Sequence, residues 1–232
     1  MRDGERPEIA GLPLFAEMNE AQRDRVFTSS FLQVFPPQLT LFEVGQRADF
    51  LHVLIDGMVE LHAANGDRDT TMAIVEPVRS FIMAAVITDL PYLMAARTLS
   101  ASRIMMIPAP LLREVIQRDG ALMQASMNEL AMAYRDIVRG LTDMKLRQST
   151  ERLGNYLLKE CRKQGGGPRF QLRAEKRLLA SLLGMTPENL SRAFGALVKH
   201  GITVEGSNIN IVDRDALETY SRPDSGADTP HD

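Results

Sequence analysis

The sequence is poor in the residues that build redox centres, and it lacks any long apolar run. It contains one cysteine, Cys161, and no tryptophan in 232 residues. A single thiol cannot form a disulfide within the chain, and it cannot supply the several thiolates of an iron–sulfur cluster. No apolar run approaches the ~20 residues of a membrane-spanning helix. The start, MRDGERPEIAG, lacks the apolar segment of a signal peptide, so we expect a cytoplasmic protein without membrane contact.

Patterns that would indicate catalysis are also missing. The four histidines are scattered, and neither they nor Cys161 have partners at the spacing of a nucleophile–base pair or a metal site. The glycine run at 165–167 lies between a predicted helix and the predicted wing domain, so we interpret it as a linker and not as a phosphate cradle. We therefore expect that the protein is not an enzyme.

What the sequence does have is an uneven distribution of charge. The net charge is −3, yet residues 145–214 carry 13 Lys and Arg against 6 Asp and Glu, a net charge of +7. The remainder of the chain therefore carries −10. A basic segment beside an acidic one suits a module that approaches nucleic-acid phosphates next to one that does not.

The segment from about residue 14 to residue 108 predicts a short helix followed by many short strands. The helix is predicted over Glu20–Ser29. Turn signals such as Pro36-Pro37, Gly45-Gln46, Asp56-Gly57 and Asn65-Gly66-Asp67 separate candidate strands at 32–35, 39–42, 50–56, 58–63, 70–75 and 103–107. Short strands at this spacing predict a small β-barrel or roll. The polar termini, residues 1–12 and 221–232, are expected to be mobile.

Beyond Pro108 the pattern becomes helical, with a short helix at 110–118 and a long one at 121–146. Apolar residues of the long helix recur at alternating spacings of four and three: Met123, Met127, Leu130, Tyr134, Ile137, Leu141 and Met144. Such a heptad seam favours a coiled-coil partner, most simply the same helix of a second chain. The alternative is that the stripe packs on its own barrel. Ser149 is a candidate cap for a further helix at 151–163.

The stretch RLLASLLGMTPENLSRAFGALVKHG, residues 177–201, carries the most information. Apolar-periodic segments at 178–183 and 190–198 are joined by Gly184-Met185-Thr186-Pro187. Gly184 can adopt the left-handed conformation that ends a helix, Thr186 is a good N-cap, and Pro187 suits the first helical position. A helix, a glycine turn and a second helix form a helix-turn-helix. A β-wing is predicted at 202–212, with its turn at Gly206-Ser207-Asn208.

On the second helix Glu188, Ser191 and Arg192 share one face near the N-terminal end, the part of a recognition helix that enters the major groove. Arg192 can donate two hydrogen bonds to a guanine, and Glu188 can accept one from a cytosine amino group. Ser191 can touch a base edge or a thymine methyl. Glu188 can also simply stabilise the helix dipole, and both roles can hold together. Candidate phosphate contacts, each of which could instead be solvated surface, are Thr186, Arg173, Lys176, Arg177, Lys199 and His200.

The order of barrel, heptad helix and winged helix-turn-helix resembles the bacterial CRP/FNR family of dimeric transcription regulators. The segments that carry the resemblance are LFEVGQRADFLHVLIDGMVEL, with turns at Gly45 and Gly57, and LLASLLGMTPENLSRAFGALVKHGI. The resemblance implies an α+β chain with a cyclic-nucleotide-binding-type β-barrel (jelly roll) at 12–118, a dimerisation helix at 119–147 and a winged helix-turn-helix at 148–220. It implies double-stranded DNA, a second copy of the chain and RNA polymerase as partners.

The E-x-x-S-R pattern at Glu188, Ser191 and Arg192 is similar to that of the FNR branch, which implies a palindrome with TTGAT-like half-sites. Pro187 stands where the cyclic-AMP-responsive branch has a further arginine. Cyclic-nucleotide binders of the family carry a Gly-Glu and an Arg-Ser or Arg-Thr in their phosphate-binding cassette. This chain has SFIMAAV at 80–86 and Tyr92-Leu93 at those places, and Arg97-Thr98 comes five residues later. We therefore expect no cyclic AMP, because a buried phosphate and ribose would lack partners.

The residues that replace the cassette are mostly apolar, which resembles the haem-dependent nitric-oxide regulators of the NnrR/DNR branch. The candidate effector pocket is lined by Phe81, Ile82, Met83, Val86, Leu90, Tyr92, Leu93, Met94 and Arg97. Haem needs an axial ligand, and His52 and His62 are the candidates. The alternatives are that His52 is an ordinary strand residue and His62 a solvated one, or that the pocket has collapsed and abundance regulates the protein. A different class of function, a ligand-binding module whose winged helix contacts protein and does not read DNA, is disfavoured by the basic C-terminal segment.

Overall fold

The computed structural model describes residues 3–65 and 68–223. The chain divides into two compact units, the first ending at Arg135 and the second beginning at Asp136. The division falls inside one helix, so that helix contributes to both units. The three-part division at residues 12–118, 119–147 and 148–220 stays a prediction.

The first unit is built from short strands framed by helices. Its elements are α1 (Arg6–Ala10), α2 (Glu20–Ser29), β1 (Phe31–Phe35), β2 (Thr40–Phe42), β3 (Phe50–Asp56), β4 (Val59–Asn65), β5 (Arg68–Val75), β6 (Arg79–Phe81), α3 (Met83–Thr88), β7 (Ala95–Thr98), β8 (Ser102–Pro108), α4 (Ala109–Arg118) and the N-terminal part of α5 (Gly120–Leu146).

Within the described residues, these strands form two antiparallel four-stranded sheets that pack as a sandwich. One sheet has the order β1-β8-β3-β6 and the other β2-β7-β4-β5. Apolar side chains from both sheets fill the space between them, among them Leu54 and Ile104 of the first sheet and Val59 and Ala96 of the second. This confirms the fold class predicted from the sequence, a β-sandwich of the cyclic-nucleotide-binding type followed by helices and a helix-turn-helix domain.

Gly57 shows why one of the glycine turns between strands requires glycine. Its φ is +97°, in the left-handed region, and a Cβ there would lie 2.5 Å from the carbonyl oxygen of Ala101. A side chain at this position would be strained and would collide with the backbone. The turn between β3 and β4 therefore depends on the glycine noted in the sequence.

Several sequence-based expectations were wrong. Strands β6 and β7 were missed because three- and four-residue strands without alternation give no periodic signal. The N-terminal stretch was expected to be mobile, yet α1 forms there because Ile9 is fully buried in the core. Ser149 is not a cap, because the N-cap of the next helix is Gln148, which forms a capping box with Glu151. Gly66 and Asp67 of the predicted hairpin turn lie outside the described residues.

The second unit contains the end of α5 and a small helical domain with a three-stranded sheet. Its further elements are α6 (Ser149–Lys163), β9 (Arg169–Gln171), α7 (Lys176–Leu182), α8 (Pro187–Leu197), a short 3-10 helix (Val198–His200), β10 (Ile202–Glu205), β11 (Asn208–Ile211) and α9 (Arg214–Ser221). The sheet order is β10-β11-β9. Ser221 is fully buried, so the expected mobility of residues 221–232 is wrong at its start; residues 224–232 lie outside the described part.

The core of the second unit is separate from that of the first. It combines the apolar faces of α6, α7, α8 and α9 with the inner face of the sheet: Leu153, Leu157, Leu158, Leu179, Leu190, Phe194, Leu197, Ile202, Ile209 and Leu217. Among residues 3–65 and 68–223, no helix is long and apolar enough to cross a membrane.

Candidate nucleic-acid interface and effector region

The helix-turn-helix forms as the sequence predicts. Helix α7 ends at Leu182, and Gly184 takes a left-handed φ of +63°. Thr186 caps α8, because its hydroxyl oxygen accepts a hydrogen bond from the Asn189 backbone N–H at 3.2 Å. Pro187 occupies the first turn of α8, where its missing N–H leaves no partner unpaired.

Helix α8 has one buried face and one exposed face. Leu190, Ala193, Phe194 and Leu197 are buried against the domain core. Glu188, Ser191 and Arg192 are exposed, in the first turn and a half of the helix. The structure therefore brings the three candidate base-reading residues together on one solvent-facing surface, which we call the recognition face.

The two charged residues of the recognition face are held by neighbouring side chains. Hydrogen bonds from its own backbone N–H and from the Thr186 hydroxyl, together with the charge of Arg192, lower the pKa of Glu188. The carboxylate is therefore ionised at neutral pH and can only accept hydrogen bonds. The Arg192 guanidinium donates a hydrogen bond to the Asn189 side-chain oxygen. Sequence reasoning missed Asn189, although its spacing of three residues from Arg192 could have indicated it.

The candidate phosphate contacts are exposed around α7 and α8. Arg173 precedes α7, Lys176 and Arg177 lie in its first turn, and Lys199 follows α8. The Lys176 ammonium lies 5.6 Å from the centroid of the Phe194 ring, a cation–π distance that connects α7 to α8. Thr186 is exposed as well as capping α8. His200 stacks on Tyr220 with ring centroids 3.8 Å apart, so its ring packs on α9.

Helix α5 carries an exposed apolar stripe. Met123, Met127, Tyr134, Ile137, Leu141 and Met144 are between 41% and 68% exposed in the single chain. Exposed Met132, Val138 and Leu146 widen the stripe. Two residues of the predicted seam also serve their own unit. Leu130 packs on the core of the first unit, and a Cβ on Gly184 would lie 2.8 Å from Met144 Cε, so the Met144 thioether touches the helix-turn-helix turn.

The predicted effector residues surround the short helix α3. Phe81, Met83, Val86 and Tyr92 are buried, and Ile82 is partly buried against the core. Ile82 has a φ of +61° and precedes the first residue of α3. This left-handed conformation is rare for a β-branched residue. Ile82 therefore holds a backbone conformation that glycine adopts much more readily than isoleucine.

An aromatic cluster occupies the interior beside α3. The rings of Phe42 and Tyr92 stack with centroids 3.9 Å apart, and His52 lies 5.1 Å from Phe42 and 5.3 Å from Phe81. Burial lowers the pKa of His52 to about 4, so the imidazole is neutral at neutral pH. Its Nδ1 has no hydrogen-bond partner within the described residues. The Tyr92 hydroxyl donates to the Phe50 carbonyl oxygen at 3.2 Å, and burial raises the pKa of Tyr92 to about 12.

Three predicted effector residues do not line this interior. The Leu93 side chain is 84% exposed, at a bend that directly follows the buried Tyr92, and Leu90 is also exposed. Arg97 lies on the opposite face of its strand from the core residue Ala96 and pairs with Glu60 at 2.6 Å. Leu90, Leu93 and Arg97 therefore lie outside this interior, and their part in binding an effector stays a prediction.

The other candidate haem ligand, His62, lies on strand β4 two residues from Glu60. Its Nδ1 is 3.2 Å from the Asp69 carboxylate, and its side chain is 15% exposed. It is therefore a paired strand residue. A contact that the sequence did not indicate joins α5 to strand β6, because the Ser80 hydroxyl donates a hydrogen bond to the Glu129 carboxylate. Burial raises the pKa of Glu129.

Comparisons with known proteins identify both domains. The family model of the cyclic nucleotide-binding domain matches residues 32–119, and that of the Crp-like helix-turn-helix domain matches residues 151–220. A CRP-like cAMP-activated global transcriptional regulator of Mycobacterium tuberculosis (strain ATCC 25618 / H37Rv) is 24% identical over 194 residues, which span 81% of this chain and 87% of that protein.

Solved structures agree with this organisation. A Ruegeria pomeroyi DSS-3 protein, provisionally named a cyclic nucleotide binding protein, is 26% identical, with a TM-score of 0.60 and coverage of 96% of this chain and 99% of that one. A CooA mutant from Carboxydothermus hydrogenoformans shares the fold, with a TM-score of 0.75 at 14% identity and coverage of 95% and 97%. The sandwich, the helix-turn-helix and these two domain matches together show that the chain belongs to the CRP/FNR family of DNA-binding transcription regulators, whose members are not enzymes.

Proposed function

We propose that the protein binds a palindromic operator as a homodimer, with Glu188, Ser191 and Arg192 contacting bases. The observation that carries this proposal is the recognition face itself, in which three polar side chains project from a helix whose other face is buried. Arg192 suits a guanine with its O6 and N7 acceptors, and the ionised Glu188 suits an amino group of cytosine. This pairing supports TTGAT-like half-sites.

Exposed cations flank the recognition face and suit the sugar–phosphate backbone. Arg173, Lys176, Arg177 and Lys199 would contact phosphates, together with the Thr186 hydroxyl. Such contacts set affinity and register without reading sequence. They also make affinity depend on salt, because each neutralised phosphate releases condensed counterions.

The apolar stripe of α5 supports dimerisation through the same helix of a second copy. Methionine, leucine, isoleucine and tyrosine side chains exposed at alternating spacings of four and three residues form the seam of a two-stranded coiled coil. A dimer would present two recognition faces to two half-sites about one helical turn, ~34 Å, apart.

Replacement of Arg192 by alanine tests base reading. At fixed salt, we expect operator affinity to fall by about 1–3 kcal/mol, which is the contribution of one bidentate guanine contact. We expect the same protein to lose its preference for guanine at the contacted position while non-specific affinity changes little. Unchanged affinity and unchanged base preference would contradict the proposed base contact.

The signal is proposed to be something other than cyclic AMP. The relative from Mycobacterium tuberculosis is named as cAMP-activated, but the buried position after Ile82 carries the apolar Met83, and Arg97 is paired with Glu60. The first of these positions is therefore apolar and the arginine is already paired with a carboxylate, so a buried cyclic phosphate and ribose would be poorly satisfied by them. Isothermal titration with cyclic AMP tests this, and we expect no saturable heat at millimolar nucleotide.

The interior does not fit a haem in this conformation. His52 is neutral, and its Nδ1 has no hydrogen-bond partner among residues 3–65 and 68–223, which suits a ligand. The rings of Phe42 and Phe81 nevertheless approach it closely, and Tyr92 stacks on Phe42. A haem could reach His52 only if this cluster opened, and His62 is paired with Asp69. An absorption spectrum after anaerobic haem reconstitution decides the matter. A stoichiometric Soret band that responds to nitric oxide would restore the haem hypothesis.

A further inference from the structure

Arg147 lies directly after α5 and binds the far end of the chain's last described helix. Its side chain is 11% exposed, and its Nε donates to Asp143 Oδ1 at 2.6 Å in the last turns of α5. Its Nη1 donates to the Ser221 carbonyl oxygen at 2.9 Å and also to that of Arg222. The carbonyls at a helix C-terminus have no partner within the helix, and a cation there is favoured by the helix dipole.

Arg152 extends this connection to the helix-turn-helix. From the first turns of α6, its Nη1 donates to the Arg147 carbonyl oxygen at 2.8 Å. Its Nε donates to the Leu183 carbonyl oxygen at 3.0 Å, directly before the Gly184 turn. The Arg152 guanidinium therefore hydrogen-bonds both to the junction between α5 and α6 and to the turn that precedes α8.

Helix α9 is a rigid support for these contacts. A Cβ on Gly154 would lie 1.9 Å from Ser221 Oγ, so only glycine on α6 permits the observed approach of α9. The Tyr220 hydroxyl lies 2.7 Å from the Thr150 hydroxyl. The carbonyls that Arg147 binds are thus fixed on a helix that packs closely against α6.

We propose that Arg147 and Arg152, the arginine clamp, are positioning residues for operator recognition. They fix the direction in which the helix-turn-helix leaves the end of α5, and in a dimer that direction sets the separation of the two recognition faces. Neither residue is placed to contact DNA, because both side chains are largely enclosed by protein. The proposal rests on the proposed function, since a spacing between half-sites has meaning only for a dimer on a palindrome.

Operator spacing provides the main test. TTGAT-like half-sites with centres one helical turn apart, and the same half-sites with spacers one or two base pairs shorter or longer, are compared for the parent protein, Arg147→Ala and Arg152→Ala. For each clamp variant we expect affinity for the spacing that the parent protein prefers to fall by about tenfold relative to the parent protein, which is a typical free energy of coupling between two sites. We expect little loss for the other spacers, so that discrimination between spacings shrinks. Arg139→Ala is the matched control, because Arg139 pairs with Asp136 inside α5 at 3.6 Å.

A purely structural role would lower affinity equally for every spacing, through loss of folded protein. That outcome, once folded fractions are measured by urea unfolding, would overturn the proposal. Arg152→Lys provides a second comparison, since lysine keeps the charge but lacks the fork that reaches two carbonyls. We expect it to behave like Arg152→Ala in spacing discrimination, and full discrimination with lysine would contradict the two-carbonyl geometry.

A measurement without DNA separates this proposal from the proposed function. Spin labels are attached at Gly140→Cys and Gly195→Cys in a Cys161→Ser background, and one labelled protomer is diluted into unlabelled protein. Both glycines have open space around them, so labels fit. We expect a narrow distance distribution that broadens in both clamp variants. An unchanged distribution would overturn the clamp, whereas absence of operator binding by the parent protein would overturn only the proposed function.

Discussion

The ring of Tyr92 lies on the ring of Phe42, with centroids 3.9 Å apart and planes inclined by 22°. The stack joins the segment after α3 to strand β2, and His52 and Phe81 pack beside it. In this conformation the residues around α3 contribute to a packed core. A packed core and a loosely filled pocket therefore differ in how much free energy of unfolding is lost when one of these rings is removed.

Replacing Phe42 with alanine should show the behaviour of a core. The side chain is 5% exposed, and deletion of a buried phenylalanine typically costs about 3–5 kcal/mol. We expect a loss of that size in the free energy of unfolding, measured with urea. Phe31→Ala is the control, because Phe31 is 49% exposed and we expect under about 1.5 kcal/mol there. A loss at Phe42 no greater than at Phe31 would indicate a loosely filled pocket.

Because His52 is buried, we expect the free energy of unfolding to change between pH 6.5 and pH 4. Burial lowers its pKa in the folded state from 6.5 to about 4, so within this range the unfolded chain binds more protons than the folded one. Stability is therefore present above pH 6.5 and is lost as the pH falls towards 4, by about 3 kcal/mol in total.

The His52→Phe variant isolates this effect from the carboxylates, which also titrate in acid. We expect urea unfolding to show a smaller loss between pH 6.5 and pH 5 for the variant than for the parent protein. Identical pH dependence of the two proteins would mean that His52 is not held neutral by burial.

Local signals in the sequence determined how much could be predicted. The helix-turn-helix was predicted in detail because its turn depends on adjacent residues, Gly184, Thr186 and Pro187, whose backbone preferences act over one turn of chain. Helix α2 was predicted at its observed bounds. The structure shows that this helix also begins at a local signal, because the Asn19 side-chain oxygen accepts a hydrogen bond from the Ala21 N–H at 3.0 Å.

The effector region could not be predicted to the same depth. Its arrangement depends on contacts between distant residues, such as Glu60 with Arg97 and Phe42 with Tyr92. Sequence spacing placed Leu93 beside Tyr92 but could not show that one faces inward and the other faces solvent. The clamp of Arg147 on the α9 carbonyls joins residues 74 positions apart, and no short-range pattern carries that information.

Gly154 should tolerate no side chain. Because a Cβ there would lie 1.9 Å from Ser221 Oγ and 3.0 Å from Ser221 Cβ, we expect Gly154→Ala to separate α6 from α9 and to lower the free energy of unfolding by about 1–3 kcal/mol. Ser221→Ala in the same chain should recover part of the loss. Gly195→Ala is the control, because open space surrounds it and helix propensity should raise stability by about 0.5–1 kcal/mol. Equal stabilisation at Gly154 and Gly195 would contradict the close approach.

Ile137 provides the sharpest test of the α5 seam. It is 67% exposed in the single chain, so Ile137→Lys should leave the fold of each unit intact. In a coiled-coil dimer the same change places two lysines in the apolar seam, and burying unpaired charges there should weaken dimerisation by about 100-fold or more. Sedimentation velocity over a concentration series measures this directly. Gln124→Lys adds the same charge to an exposed polar position of α5 and should leave the dimer intact. If Ile137→Lys remains dimeric at the concentrations where the parent protein does, the chains associate through a surface other than this seam.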